Sequence, residues 1–142
     1  MTRVVIDPGV LVSAFISTRK AAPALLVDAF LDGHFDVLVS PMLIAGLTDV
    51  LGREKFAKHA AEGRAAAFIA VLLDRAEMVE DGEPVSKKTA DPDDDYLIAL
   101  AQEHQADAIV SGDRHLLDIS SRDLSVLTPR ELADRLGLAS SG

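Results

Sequence analysis

Three places in the chain gather carboxylates whose type and setting could do chemistry: Asp7, the run Asp91-Pro92-Asp93-Asp94-Asp95, and Asp113 in Ser111-Gly112-Asp113. Carboxylate oxygens are hard donors that suit Mg²⁺ or Mn²⁺, and an ion so held can polarise a phosphate and acidify water. Each place also has a purely structural reading. Asp7 and Asp113 are good helix N-caps. Pro92 at a first helical position makes Asp91 an N-cap and puts Asp93 to Asp95 in the first turn, where free N–H groups and the macrodipole favour negative charge. Capping uses one acid, however, and like charges packed into one turn repel unless some face water or a cation. Singly, each place reads either way. Together they favour a shared divalent-metal site.

Other chemistries find less support. Cysteine is absent, which excludes disulfides, thiolate metal sites and thiol catalysis. His34, His59, His104 and His115 show no ligand spacing, and only His115, two residues past Asp113, stands near an acidic place; a surface position is expected for it. No glycine-rich phosphate loop, Ser-His-Asp order or nucleotide fingerprint occurs. Lys87-Lys88 reads as a solvated turn unless it borders the groove.

The elements that must position these acids alternate between strand and helix. Arg3 to Ile6 is a short β-branched run closed by Asp7-Pro8-Gly9, and reads as a buried strand. Val10 to Ile16 predicts a short helix. A second helix starts near Pro23 and ends near Gly33. Phe35 to Val39 predicts a strand, and Ser40-Pro41 caps and opens a helix through Leu51. Ala57 to Met78 reads as mostly helical, broken at Gly63. Glu80 to Pro84 reads as a turn, and Val85 as a short third strand or edge. A helix follows from Asp91-Pro92 through Gln105. Ala108 to Val110 and Val126-Leu127 predict further strands, and Thr128-Pro129-Arg130-Glu131 is a capping box opening a helix to Leu136. Such alternation implies right-handed crossovers and a mainly parallel sheet covered on both faces, with ligands beyond the carboxyl ends of the strands. Asp7 and Asp113 each follow a strand directly.

The 142 residues suit one domain over 1–137, with 138–142 as a short flexible tail. Aromatics make up only 4%, so the core must be mainly Leu, Val, Ile and Ala. Net charge is −9, which argues against duplex binding driven by phosphate neutralisation. It leaves room for a nuclease whose metal ions meet the phosphate. The start lacks a signal-peptide pattern, and the longest uncharged apolar run, Ala65 to Leu73, is too short to span a bilayer. A cytoplasmic protein without membrane contact is the expectation.

Val4-Val5-Ile6-Asp7, Val10-Leu11-Val12-Ser13-Ala14, Leu38-Val39-Ser40-Pro41, Asp91-Pro92-Asp93-Asp94 and Ile109-Val110-Ser111-Gly112-Asp113 resemble, in order and spacing, the blocks of PIN-domain proteins. The branch they are most similar to is that of VapC-type toxins of toxin–antitoxin pairs, over Thr2 to Leu136. The resemblance implies an α/β/α sandwich around a mainly parallel sheet of about five strands, and metal-dependent endonucleolytic cleavage of RNA. It implies Mg²⁺ or Mn²⁺ as cofactor, and RNA, a small antitoxin and a second copy of the chain as partners. Asp7, Asp94 and Asp113 match three of the family's acids; Asp91 and Asp95 are the fallback if the register slips. Ser111 matches the small hydroxyl residue that precedes the last acid by two.

Two departures stand out. Asp7-Pro8-Gly9 replaces the family's usual Asp-Thr-Asn, and Gly46 stands where a glutamate is usual. Asp49, three residues on, lies on nearly the same helix face and could reach the site through a water. The departures imply weakened metal binding. Two functions therefore stand side by side: a PIN-type ribonuclease, and a degenerate or non-catalytic binding module whose acidic crevice takes a partner's Arg or Lys. A phosphotransfer enzyme with Asp7 as nucleophile fits less well, because Pro8-Gly9 supplies neither the second acid nor the Lys it needs.

Overall fold

The computed structural model describes residues 2–17, 21–53, 63–82, 92–119 and 124–138, with 92–94 as backbone only. The order of elements is β1 (Arg3–Ile6), α1 (Pro8–Ile16), α2 (Ala22–Leu31), β2 (Asp36–Val39), α3 (Pro41–Leu51), α4 (Arg64–Arg75), β3 (Glu77–Met78), α5 (Pro92–Glu103), β4 (Ala108–Val110), α6 (Arg114–Leu117), β5 (Val126–Leu127) and α7 (Pro129–Arg135). The five strands form one sheet in the order β3-β2-β1-β4-β5, parallel at every pairing. Val4, Val5, Leu38, Val39, Ile109 and Val110 are wholly buried. Continuous apolar strands of this kind are the mark of a parallel sheet covered on both faces.

Right-handed crossovers fix the layers. The chain winds one way through β1, β2 and β3, so α1 to α4 lie on one face; it then turns back through β4 and β5, which carries α5 and α6 to the other. Packing agrees: α1 meets α2 and α3, α3 meets α4, and α5 lies on β1 and β4. α7 returns to pack on α2, and the result is a three-layer α/β/α sandwich. The winding reverses between β1 and β4. That junction is where an open α/β sheet leaves a crevice beyond its carboxyl ends.

Local chemistry explains most boundaries. Ser40 is wholly buried and its Oγ accepts from Leu43 N–H at 3.2 Å, while Asp81 Oδ2 accepts from Met42 N–H at 3.0 Å, so two side chains cap α3. Gly33, at φ +83°, turns the chain out of α2 toward β2. Thr128 and Glu131 form the reciprocal capping box of α7.

Two expectations need correction. The helix read through Met78 ends at Arg75, and Glu77–Met78 form the edge strand β3 against Leu38 and Val39. The helix read through Gln105 ends at Glu103, because Gln105 turns to φ +56°, a left-handed conformation that stops it. The strand read at Val85, the tail 139–142, and His59, Lys87, Lys88 and Asp91 lie outside the described residues. Among the described residues no helix is long and apolar enough to cross a membrane.

Candidate metal centre

The site grows from the junction between β1 and β4. Ile6 and Val110 are paired as the last residues of these strands, and Asp7 N–H extends the ladder to Val110 O at 2.9 Å. Asp7 thus leaves the sheet at a fixed height. Pro8 then starts α1, and Gly9 N–H donates to Asp7 Oδ1 at 3.0 Å. On the neighbouring strand Ser111 N–H is held by Leu127 O at 2.9 Å, which anchors the chain leading to Asp113. Asp113 in turn caps α6, its Oδ1 accepting from His115 N–H at 2.9 Å.

Ser111 joins the two acids. It is wholly buried; its hydroxyl donates to Asp7 Oδ2 at 2.8 Å and accepts from Asp113 N–H at 2.9 Å. Capping and site formation are therefore not rivals in Asp7. One oxygen holds the helix and the other is held by Ser111, and a carboxylate has lone pairs beyond these for a further partner.

Two clefts meet at Asp7. One, of about 370 Å³, runs past Gly112 and Asp113. The other, of about 410 Å³, opens between α3 and α5 and is lined by Gly46, Asp49, Arg53 and Tyr96. Asp49 turns 74% of its side chain to solvent and pairs with Arg53 at 3.3 Å. Gly46 presents no side chain; a Cβ there would meet only the Tyr96 hydroxyl, at 4.0 Å. Asp94 lies in the first turn of α5, its side chain outside the described set, whereas Asp95 is buried, with 6% exposed. His115 is exposed, as expected, and its ring makes no part of the site. His104 is half-buried, with Nε2 2.7 Å from Glu80 O.

Among the described residues no three His, Cys, Asp or Glu side chains are grouped closely enough to hold a metal ion. What the structure brings together is Asp7 with Asp113 through Ser111, and Asp49 at the wall of the same cleft. These are oxygen donors only, the set a hard divalent cation takes. Sequence reasoning passed over Arg53 and Tyr96. Arg53 follows Gly46 and Asp49 at helical spacing, and Tyr96, the chain's single tyrosine, directly follows the acidic run; those were the available signals.

The molecule is thus a doubly wound α/β sandwich with an acidic crevice at its topological switch. The sequence profile of the PIN domain matches residues 3–115, and the chain belongs to the PIN-domain family, whose members are in general nucleases. Among curated protein sequences none matches the chain. Solved structures share the fold. VapBC2 from Rickettsia felis, crystallised with a DNA fragment from its promoter, superposes with a TM-score of 0.60 at 12% identity, covering 89% of this chain and 98% of that one. FitAcB from Neisseria gonorrhoeae superposes with a TM-score of 0.59 at 19% identity and the same coverage of 89% and 98%.

Proposed function

We propose that this protein is a metal-dependent endoribonuclease, the toxin of a toxin–antitoxin pair, acting on RNA phosphodiesters from the crevice at Asp7. The observation that carries the reading is the Ser111 link, which sets Asp7 and Asp113 side by side beyond the carboxyl ends of two adjacent parallel strands. Asp7, Asp113 and one acid from the start of α5 would hold Mg²⁺ or Mn²⁺. The resemblance to the family makes Asp94 that acid; Asp95, already buried, and Asp91 are its alternatives. A bound ion supplies Lewis acidity at a phosphate oxygen and water of lowered pKa. Ser111 orients Asp7, and Asp49 stands at the cleft wall, paired with Arg53. The resemblance to VapC-type toxins and the shared fold with VapBC2 and FitAcB support a cognate antitoxin that covers the cleft; a homodimer and a cytoplasmic setting are what the resemblance alone implies.

Gly46 favours a second reading. With no carboxylate at position 46, the crevice can serve as a non-catalytic module that takes a partner's Arg or Lys. Calorimetric titration with Mn²⁺, run beside cleavage of a labelled single-stranded RNA, separates the two. The nuclease reading expects Mn²⁺ binding and cleavage that Asp7→Asn and Asp113→Asn both abolish, with Asp94→Asn and Asp95→Asn identifying the third ligand. A protein that binds no Mn²⁺ and leaves RNA intact is the module.

A further inference from the structure

The cleft between α3 and α5 holds two groups that a set of metal-binding carboxylates does not use. Arg53, just past the end of α3, is the one cation among the described residues lining the two clefts that meet at Asp7. Opposite it, the Tyr96 hydroxyl from α5 borders the space left by Gly46. In a chain of net charge −9, an incoming nucleic-acid strand meets repulsion, and local donors decide where it can settle.

We propose that Arg53 and Tyr96 form the phosphate-binding wall of this cleft, receiving a backbone phosphate of the substrate strand beside the carboxylates. The proposal rests on the RNA-cleaving reading of the site. Guanidinium offers a planar fork that matches phosphate oxygens, and a phenolic hydroxyl donates to one such oxygen at neutral pH. Arg53 is held meanwhile by Asp49, four residues earlier in the last turn of α3, with 55% and 74% of the two side chains exposed. A pair so exposed is weak, and a phosphate can displace its carboxylate. Asp49 thereby acts as a placeholder for the phosphate, which accounts for an acid at the cleft wall better than a water-mediated reach to the metal.

The test follows cleavage of a labelled single-stranded RNA with Mn²⁺ at several salt concentrations, with Mn²⁺ affinity measured separately by calorimetry. Arg53→Gln is expected to raise KM on the order of tenfold, with kcat and Mn²⁺ affinity close to wild type. It should also flatten the dependence of log KM on log salt by about 0.7, the share of one phosphate contact on a single strand. Arg53→Lys restores the salt slope, and Tyr96→Phe raises KM by roughly fivefold without touching the slope. An Arg53→Gln protein with unchanged KM and salt slope overturns the proposal while the metal site stands. A wild-type protein that neither binds Mn²⁺ nor cleaves RNA overturns the nuclease reading, and this proposal with it.

Discussion

Replacing Ser111 by alanine tests the central joint of the site. The hydroxyl makes two hydrogen bonds, one to the Asp7 carboxylate at 2.8 Å and one from Asp113 N–H at 2.9 Å. Ser111 is wholly buried, so water cannot readily take the hydroxyl's place in the variant. A hydrogen bond to a charged group contributes about 1.5–3 kcal/mol and a neutral one about 0.5–1.5 kcal/mol; since Asp7 is half-buried and regains some hydration, the loss should be about 2–3 kcal/mol. For a chain of 142 residues the unfolding entropy is roughly 300 cal/mol/K, so the melting temperature should fall by roughly 7–10 °C. Calorimetric melting in metal-free buffer measures this directly. The same substitution frees the Asp7 carboxylate to rotate, and a lost orienting partner typically costs 10–100-fold in metal affinity, roughly, so Mn²⁺ titration gives a second, independent reading. A melting point within about 2 °C of wild type would refute the strength assigned to the joint. Reduced stability with unchanged Mn²⁺ affinity would refute the assignment of Asp7 as a ligand.

Further outcomes follow from the same geometry. Gly46→Glu has room to stand, since its Cβ meets nothing nearer than the Tyr96 hydroxyl at 4.0 Å; removing a mid-helix glycine should stabilise the apoprotein by about 0.5–1 kcal/mol, and the added carboxylate should tighten Mn²⁺ binding in calorimetry. Equal affinity in both proteins would place the ion away from α3. Thr128→Ala should cost about 1 kcal/mol in urea denaturation, because it removes half of the capping box of α7. Glu131 has its pKa lowered by the Thr128 backbone N–H that it accepts, then by the Thr128 side chain, against a small opposing effect of burial. Its folded value lies below its unfolded one, so its contribution is present above the ordinary glutamate range and is lost as pH falls through the folded value. Wild type and Glu131→Gln should therefore differ most above the ordinary glutamate range and converge as pH falls below it, which urea denaturation at a series of pH values measures.

The sequence carried strands and caps better than it carried edges. β1, β2 and β4 are short β-branched or aliphatic runs that end at Asp, Ser-Pro or Ser-Gly, and such signals act within a few residues. β3 could not be read in this way. Glu77 and Met78 are both exposed and show no alternation, and they follow directly on the helical spacing of Phe68, Val71, Leu72 and Arg75. Only the pairing with Leu38 and Val39, nearly 40 residues earlier, makes them a strand, and a propensity argument has no access to that partner.

The site divides along the same line. Asp7 and Asp113 were legible because each follows a strand end, a property of neighbours in sequence. Arg53 and Tyr96 were not, because they come to line one cleft only once α3 and α5, on opposite faces of the sheet, are packed in place. The geometry also dissolves the choice between helix cap and ligand on which the sequence reading turned. Asp7 caps α1 with Oδ1 and is held through Oδ2 by Ser111, so the cap fixes the carboxylate that the crevice needs. Capping by an acid is therefore no argument against metal binding here. What decides between nuclease and binding module is whether the first turn of α5 supplies the third carboxylate that Gly46 does not. Successive helical residues project about 100° apart, so if the site is a metal centre the Asp94→Asn and Asp95→Asn variants should differ in Mn²⁺ affinity, and equal affinities would argue against a ligand from this turn.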